Sequence, residues 1–189
     1  MKQWISDYIQ AHKTALDSIP QDAVAGLIET LRKALDAGRH IFVFGNGGSA
    51  ANSSHFVTDL GKGASDKIGR RFRCLSLNDN VSWMTAIGND YAFEEVFARQ
   101  VRAFGQGGDI LVAFTSSGRS RNITLAIQEA KRLGLRTITF LGKDGGEIAG
   151  LSDIELLVPH TRSTARIQEA HQILYHALCE IVDQELGHV

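Results

Sequence analysis

Residues Thr115-Ser116-Ser117-Gly118-Arg119-Ser120 place hydroxyls and a glycine between an apolar run, Ile110–Phe114, and a helical pattern that begins at Asn122. The run reads as a buried strand, so the turn sits where a strand ends and a helix starts. Free backbone N–H groups and the positive end of the helix dipole converge at such a turn. An anion there gains several hydrogen bonds at once, which makes a phosphorylated small molecule the expected ligand. A second turn of the same kind, Gly45-Asn46-Gly47-Gly48-Ser49-Ala50, follows Ile41–Phe44. Glycine lets the backbone approach a ligand and take a positive φ. The segment is neither G-x-G-x-x-G nor a P-loop with its lysine, so a dinucleotide or nucleoside triphosphate is not indicated. By itself it reads equally well as a tight turn; the pair of turns favours a ligand crevice.

Titratable residues form a second group. His55 and Asp59 lie four apart on the helix expected after the first turn, which puts both on one face. Gln168 and His176 lie eight apart on a terminal helix, separated by roughly 80° around its axis at about 100° per residue. Two imidazoles, a carboxylate and an amide oxygen suit a borderline cation such as zinc. Spacing alone does not select that reading. A His–Asp pair at this spacing is more often an ordinary hydrogen-bonded pair, an amide is an uncommon zinc ligand, and Glu169 or His171 of the same helix could replace either partner. Asn89-Asp90 reads either as the N-cap of a helix starting near Tyr91–Glu94 or as partners for sugar hydroxyls. Arg70, Arg71 and Arg73 read as a solvated basic approach to a strand that could also attract phosphate. Lys143-Asp144-Gly145-Gly146 reads as a turn, and Trp4 and Trp83 as core or interface residues.

The elements that must position these groups follow from the hydropathy pattern. Five short apolar runs, at residues 41–44, 74–77, 110–114, 137–141 and 154–158, alternate with helical stretches. Continuous apolar strands separated by helices predict an α/β three-layer sandwich with a central parallel five-stranded sheet. In such sheets ligands sit beyond the carboxyl ends of the strands, where both turns lie. Residues 1–37 predict a helical pair broken at Ile19-Pro20, whose apolar stripe packs on the core or on another subunit. A long helix is expected from Ala165 to Leu186. The 189 residues suit one domain, with helices over 1–37 and an α/β core over 38–189. A net charge of −1 gives no general attraction for nucleic acid or an acidic membrane. Cys74 and Cys179 sit in apolar contexts, far apart in sequence, and predict no disulfide. No leader peptide and no membrane span are read from the sequence, so the expected location is the cytoplasm.

Six motifs in fixed order resemble the phosphoheptose isomerases of the sugar isomerase (SIS) domain family. They are the Gly45–Ala50 turn, His55 with Asp59, Ala86–Tyr91, the Thr115–Ser120 turn, Leu141–Gly146 and Arg166–His176. The resemblance covers nearly the whole chain. It implies a cytoplasmic homotetramer with active sites between subunits, interconverting sedoheptulose 7-phosphate and D-glycero-D-manno-heptose 7-phosphate on the way to lipopolysaccharide or other surface heptose. It implies sugar-phosphate contacts from Asn46, Gly47, Gly48, Ser49, Asn89, Asp90, Thr115, Ser116, Ser117 and Ser120. It implies one zinc per subunit on His55, Asp59, Gln168 and His176, with Gln168 and Asp59 also facing substrate and with Asp59 and His176 as the acid/base pair of an enediol mechanism. Two departures stand out. The acidic position is usually Glu, and an Arg a few residues on is missing here; Lys62, Arg70 or Arg71 are the available replacements. Two other classes remain open: a non-catalytic SIS protein that binds the replication initiator DnaA, and a sugar-phosphate sensor. Retention of His55, Asp59, Gln168 and His176 together favours the enzyme.

Overall fold

The computed structural model describes residues 1–159 and 161–186. Two helices open the chain, α1 (Lys2–Asp17) and α2 (Gln21–Asp36). The sheet strands are β1 (His40–Gly45), β2 (Arg73–Ser76), β3 (Ile110–Thr115), β4 (Arg136–Gly142) and β5 (Ile154–Val158). Between them lie α3 (Gly48–Thr58), α4 (Ser65–Ile68), α5 (Val81–Asp90), α6 (Ala98–Phe104) and α7 (Arg121–Arg132), and α8 (Thr164–Leu186) follows β5.

All four strand pairings are parallel, in the order β2-β1-β3-β4-β5. Alternate residues of each strand face opposite layers. Ile41 and Val43 of β1 join one core with Leu27 and Leu31 of α2, Phe56 of α3, and Leu174 and Leu178 of α8. Phe42 and Phe44 join the other, with Ile87 of α5, Val101 of α6, and Ile123 and Ile127 of α7. This is the three-layer architecture that the continuous apolar runs predict. The strand order reverses between β1 and β3: from β1 the chain crosses to β2 on one side, from β3 to β4 on the other. Gly45 pairs beside Phe114, so the two glycine- and hydroxyl-rich turns flank that switch point.

Two expectations are corrected and a third is narrowed. The segment after the first turn is not one continuous helix. α3 passes into a π-helical turn, Asp59–Ala64, and then into the short α4. Gly61 and Gly63 weaken an α-helix there, and Ser65 fixes the wider turn: its hydroxyl donates to Leu60 O at 3.0 Å and accepts from Phe72 N–H at 3.0 Å. Asn89 and Asp90 close α5 rather than cap a following helix; a single 3₁₀ turn, Phe93–Glu95, comes next. Trp4 is 67 % exposed, so it is no part of this chain's core, and with Ile5 and Ile9 it leaves an apolar stripe of α1 uncovered. Trp83 packs edge-on against Phe104 at 4.9 Å.

Candidate active site

The two turns are joined by side chains. The amides of Asn46 and Asn122 exchange two hydrogen bonds, each 2.9 Å, across the switch point. Asn78 holds the first turn from the β2 side: its Oδ1 accepts from Gly45 N–H at 3.1 Å and from the Ser53 hydroxyl at 2.8 Å, and its Nδ2 donates to Gly45 O at 2.9 Å. In the second turn Thr115 Oγ1 accepts from Gly118 N–H at 3.1 Å, and Ser117 Oγ accepts from Arg119 N–H at 3.3 Å. Gly118 has φ 62°, and a Cβ there would collide with the carbonyl of Gly145, so the loop after β4 is packed backbone to backbone against this turn. Thr115 is buried and its hydroxyl closes the turn, whereas Ser116, Ser117 and Ser120 are half-buried. Ser120 is the N-cap residue of α7 and makes no side-chain cap bond, which leaves its hydroxyl uncommitted to the helix start.

Beside this turn, Arg119, Lys143, Asp144, Thr161 and Arg162 line a cleft of about 670 Å³. Arg119 pairs with Asp144 at 2.7 Å. Lys143 takes a positive φ of 58°, a conformation that L side chains rarely adopt.

Along α3 and α8 the titratable residues converge. Asp59 Oδ2 lies 3.4 Å from His55 Nε2 and 3.3 Å from His176 Nε2. The two imidazole rings stand 5.0 Å apart at 75°. One ligand atom from each of His55, Asp59 and His176 lies within 4.8 Å of the others. All three side chains remain partly open to solvent. Two imidazoles and a carboxylate on a common centre, with one side open, fit a catalytic zinc site of three protein ligands and a free fourth position. Gln168 sits further along, with its amide packed so closely on Gly48 that a Cβ there would collide with it. Its backbone carbonyl accepts from Asn52 Nδ2 at 3.0 Å, which seats α8 on α3.

The alternatives on α8 resolve. His171 is fully buried between Phe114 and Phe140, its Nε2 bonded to Leu141 O at 3.0 Å, and burial pushes its pKa down to about 4. It is a neutral core residue. Glu169 accepts the Tyr8 hydroxyl on both oxygens, at 2.7 and 2.8 Å, and lies 3.6 Å from His12 Nδ1, so it fastens α1 to α8. Asn89 and Asp90 are exposed and bond each other at 2.8 Å; among the described residues no hydrogen bond ties them to either turn. The arginines before β2 are committed elsewhere. Arg70 pairs with Asp36 at 2.8 Å, Arg71 with Asp66 at 3.2 Å, and Arg73 donates to Gly38 O at 3.2 Å. Arg73 pairs in register with His40, at the amino end of the sheet and away from the crevice. Lys62 lies 3.7 Å from Asp66.

Sequence reasoning missed Asn78, Asn122 and Tyr175. The Tyr175 hydroxyl lies 2.9 Å from His55 Nδ1. Burial, then the charges of Asp59 and Cys179, push this phenol above its ordinary range. Burial and Asp59 likewise push the Cys179 thiol up to about 12, and Cys74 is also held at about 12 by burial. Both cysteines are free and, with pKa values that high, inert as nucleophiles.

A family model described as a SIS domain matches residues 6–142. The chain is 40 % identical over 192 residues to the phosphoheptose isomerase of Clostridium acetobutylicum, covering 98 % of this chain and 96 % of that protein. Among solved structures, a phosphoheptose isomerase from Francisella tularensis superposes with a TM-score of 0.88 at 35 % identity, over 97 % of this chain and 96 % of that one. Another from Neisseria gonorrhoeae superposes with a TM-score of 0.85 at 34 % identity, over 97 % and 98 %. A family-model match over most of the chain and about 40 % identity over nearly its whole length show that the chain belongs to the SIS-domain family and, within it, to the phosphoheptose isomerases.

Proposed function

We propose that this chain interconverts sedoheptulose 7-phosphate and D-glycero-D-manno-heptose 7-phosphate through an enediol, in the synthesis of heptose precursors. The observation that carries the reading is the shared carboxylate. Asp59, the first residue of the π-turn that continues α3, stands between the imidazoles of His55 and His176. Gly48 to His55 is seven residues, about 10 Å of helix, a separation that an extended heptose with a terminal phosphate bridges.

The phosphate rests on Ser116, Ser117 and Ser120 at the start of α7, with Asn46, Gly47, Gly48, Ser49 and Thr115 shaping the crevice and Asn89 and Asp90 offering further sugar contacts. Anchoring the distal end orients the reacting carbons. Asp59 removes the proton from C1 of the ketose. His176 gives a proton to O2, and the enediol forms. The reverse transfers, to C2 and from O1, complete the aldose. No electrons leave the sugar, so no redox partner is needed. Such positioned acid–base assistance typically supplies about 10² to 10⁴ in rate. Both imidazoles face Oδ2 of Asp59, and among the described residues Oδ1 accepts no hydrogen bond. Oδ1 is therefore the oxygen free to take the substrate proton, and a bound cation would lower the basicity of the whole carboxylate. A zinc ion held by His55, Asp59 and His176 would supply carbonyl polarisation and charge stabilisation, and Gln168 would have to leave its contact with Gly48 to fill the open fourth position.

The reading includes a cytoplasmic homotetramer with active sites between subunits. The uncovered Trp4, Ile5 and Ile9 stripe on α1 supports an assembly. Among the described residues no helix is long and apolar enough to cross a membrane.

Incubation of the purified protein with sedoheptulose 7-phosphate, followed by NMR, tests the reading, and the expected outcome is appearance of the aldose. Asp59→Asn and His176→Gln are expected to lower turnover by about 10² or more, with unchanged circular dichroism and mass. Near-normal turnover in either variant removes that residue from the acid/base pair. Tight binding of the ketose without conversion by the wild-type protein would establish a sensor instead.

A further inference from the structure

Tyr175 is 0 % exposed, yet it carries a hydroxyl. Its ring packs against Phe56 at 5.6 Å and Phe114 at 6.0 Å, and edge-on to His55 at 5.5 Å and His176 at 4.7 Å. A phenol buried among rings is costly unless its hydroxyl is bonded. Among the described residues its one hydrogen bond is the 2.9 Å contact with His55 Nδ1. The other nitrogen of that imidazole, Nε2, faces Asp59.

A neutral imidazole carries its proton on one nitrogen only. With the proton on Nε2, His55 donates to the Asp59 carboxylate and Nδ1 must accept, so the phenol donates. With a cation on Nε2, the proton sits on Nδ1 and the phenol oxygen must accept. Metal-bound histidines are usually held at the second nitrogen by a carboxylate or a carbonyl. Those partners only accept, and they disfavour the first state. A phenol serves both states by rotating one O–H bond.

We propose that Tyr175 is a positioning residue that holds the His55 ring through Nδ1 in both of its tautomers, so that Nε2 changes from hydrogen-bonding Asp59 to ligating a divalent cation without movement of the ring. The inference deepens the metal reading proposed above and rests on it for the cation-bound state. Tyr175 is fully buried and meets the site through the rings of His55 and His176. It acts through His55, one of the cluster whose Nε2 atoms converge on Asp59. The aromatic contacts are kept if the ring is kept, so the hydroxyl alone can be removed.

The test compares wild type with Tyr175→Phe by zinc competition titration and by imidazole nitrogen NMR. The expected result is unchanged thermal unfolding and a zinc dissociation constant raised by about 10- to 100-fold. In the metal-free state the His55 Nδ1 resonance shifts to that of a nitrogen without a hydrogen bond. In the zinc-loaded wild type Nδ1 carries a slowly exchanging proton, which exchanges fast in the variant. A His55 Nδ1 resonance that does not move on removal of the hydroxyl overturns the proposal, as does an unchanged zinc affinity. Should the wild type bind no zinc, the metal reading fails, and the proposal loses its cation-bound state and is overturned as stated. If Tyr175→Phe does not fold, the wild-type spectra decide: conversion from an Nε2-protonated to an Nδ1-protonated ring on zinc addition is expected, and a ring protonated at Nδ1 throughout overturns it.

Discussion

The candidate site has two walls, one at each end of α3, built on different principles. Asp59 and His176 line a cavity with Gly63, Lys67 and Cys179, apart from the cleft beside the second turn. The wall of turns, from Gly45 to Ser49 and from Thr115 to Ser120, contains no ionisable group except the outward-facing Arg119. Asn46 bonds the Asn122 side chain, Asn78 holds the Gly45 backbone, and Thr115 closes its own turn. The other wall is Asp59, His55 and His176, partly open to solvent and carried by the helices α3 and α8 with the π-turn between them. The first wall uses backbone groups fixed by a sheet and suits binding. The second uses side chains whose positions depend on how α8 seats on α3, and suits proton transfer. Loss of a group in the second wall should therefore remove turnover and spare stability, as expected for Asp59→Asn; loss in the first should weaken binding and stability together.

Behind the second wall, His171 tests how far the helical side depends on an uncharged core. Its pKa falls from the ordinary 6.5 to about 4 because burial disfavours the charged ring. The unfolded chain takes up the proton as pH falls through 6.5, whereas the folded chain resists until near 4. Stability is thus complete above 6.5 and declines as pH falls through that window, by about 3 kcal/mol in total. Denaturant unfolding at a series of pH values should show the loss beginning well above the ordinary carboxylate range. The carboxyl of Glu129, held down to about 2 by Arg132 and Arg102, adds a loss only as pH falls below its ordinary 4.5. His171→Gln should flatten the upper part of the curve. A wild-type curve already flat between pH 6.5 and 5 would show that the ring is protonated in the folded state.

Ser65 connects the second wall to the sheet. Its buried hydroxyl joins Leu60 O in the π-turn to Phe72 N–H before β2. Ser65→Ala leaves Phe72 N–H unpaired, while Leu60 O keeps the backbone N–H of residue 65, and is expected to cost about 1–3 kcal/mol. π-turns inside helices often mark functional sites, and Asp59 begins this one. The variant should therefore also lower kcat with little change in KM. Full activity at reduced stability would show that the turn does not place Asp59.

The walls also differed in how legible they were. Ile41–Phe44 and Ile110–Phe114 are apolar at every position because both faces of their strands are covered, so the sheet and the turns at its carboxyl end could be read directly. The His55–Asp59 pair was legible because it is local. The meeting of His176 with Asp59 was legible only through the family resemblance, since eight-residue spacing on α8 gives a shared face but not the neighbour it packs on. Asn122 was hidden because a polar residue in a helix's first turn usually faces water, and Tyr175 because an aromatic within a helix reads as packing alone. The π-turn was hidden behind Gly61 and Gly63, which signal a weak helix without saying what replaces it. Asn89 and Asp90 were placed one helix too late because Gly88 signals a helix end two residues before α5 closes.

Asn122 gives the smallest and most discriminating of these effects. It is buried, and its amide is the only side-chain link described between the two turns. Asn122→Ala removes a reciprocal pair of hydrogen bonds, but the partner Asn46 is half-exposed and can turn to water. The expected loss of stability is therefore only about 1 kcal/mol. Without the link, Asn46 and the backbone around Gly47 are free to shift, so KM for the sugar phosphate should rise several-fold while kcat changes little, because Asp59 and His176 are held by other elements. Steady-state kinetics on the folded variant separates the two parameters. A fall in kcat with KM unchanged would mean that the turn wall acts on the chemical step, and the division between a binding wall and a proton-transfer wall would have to be given up.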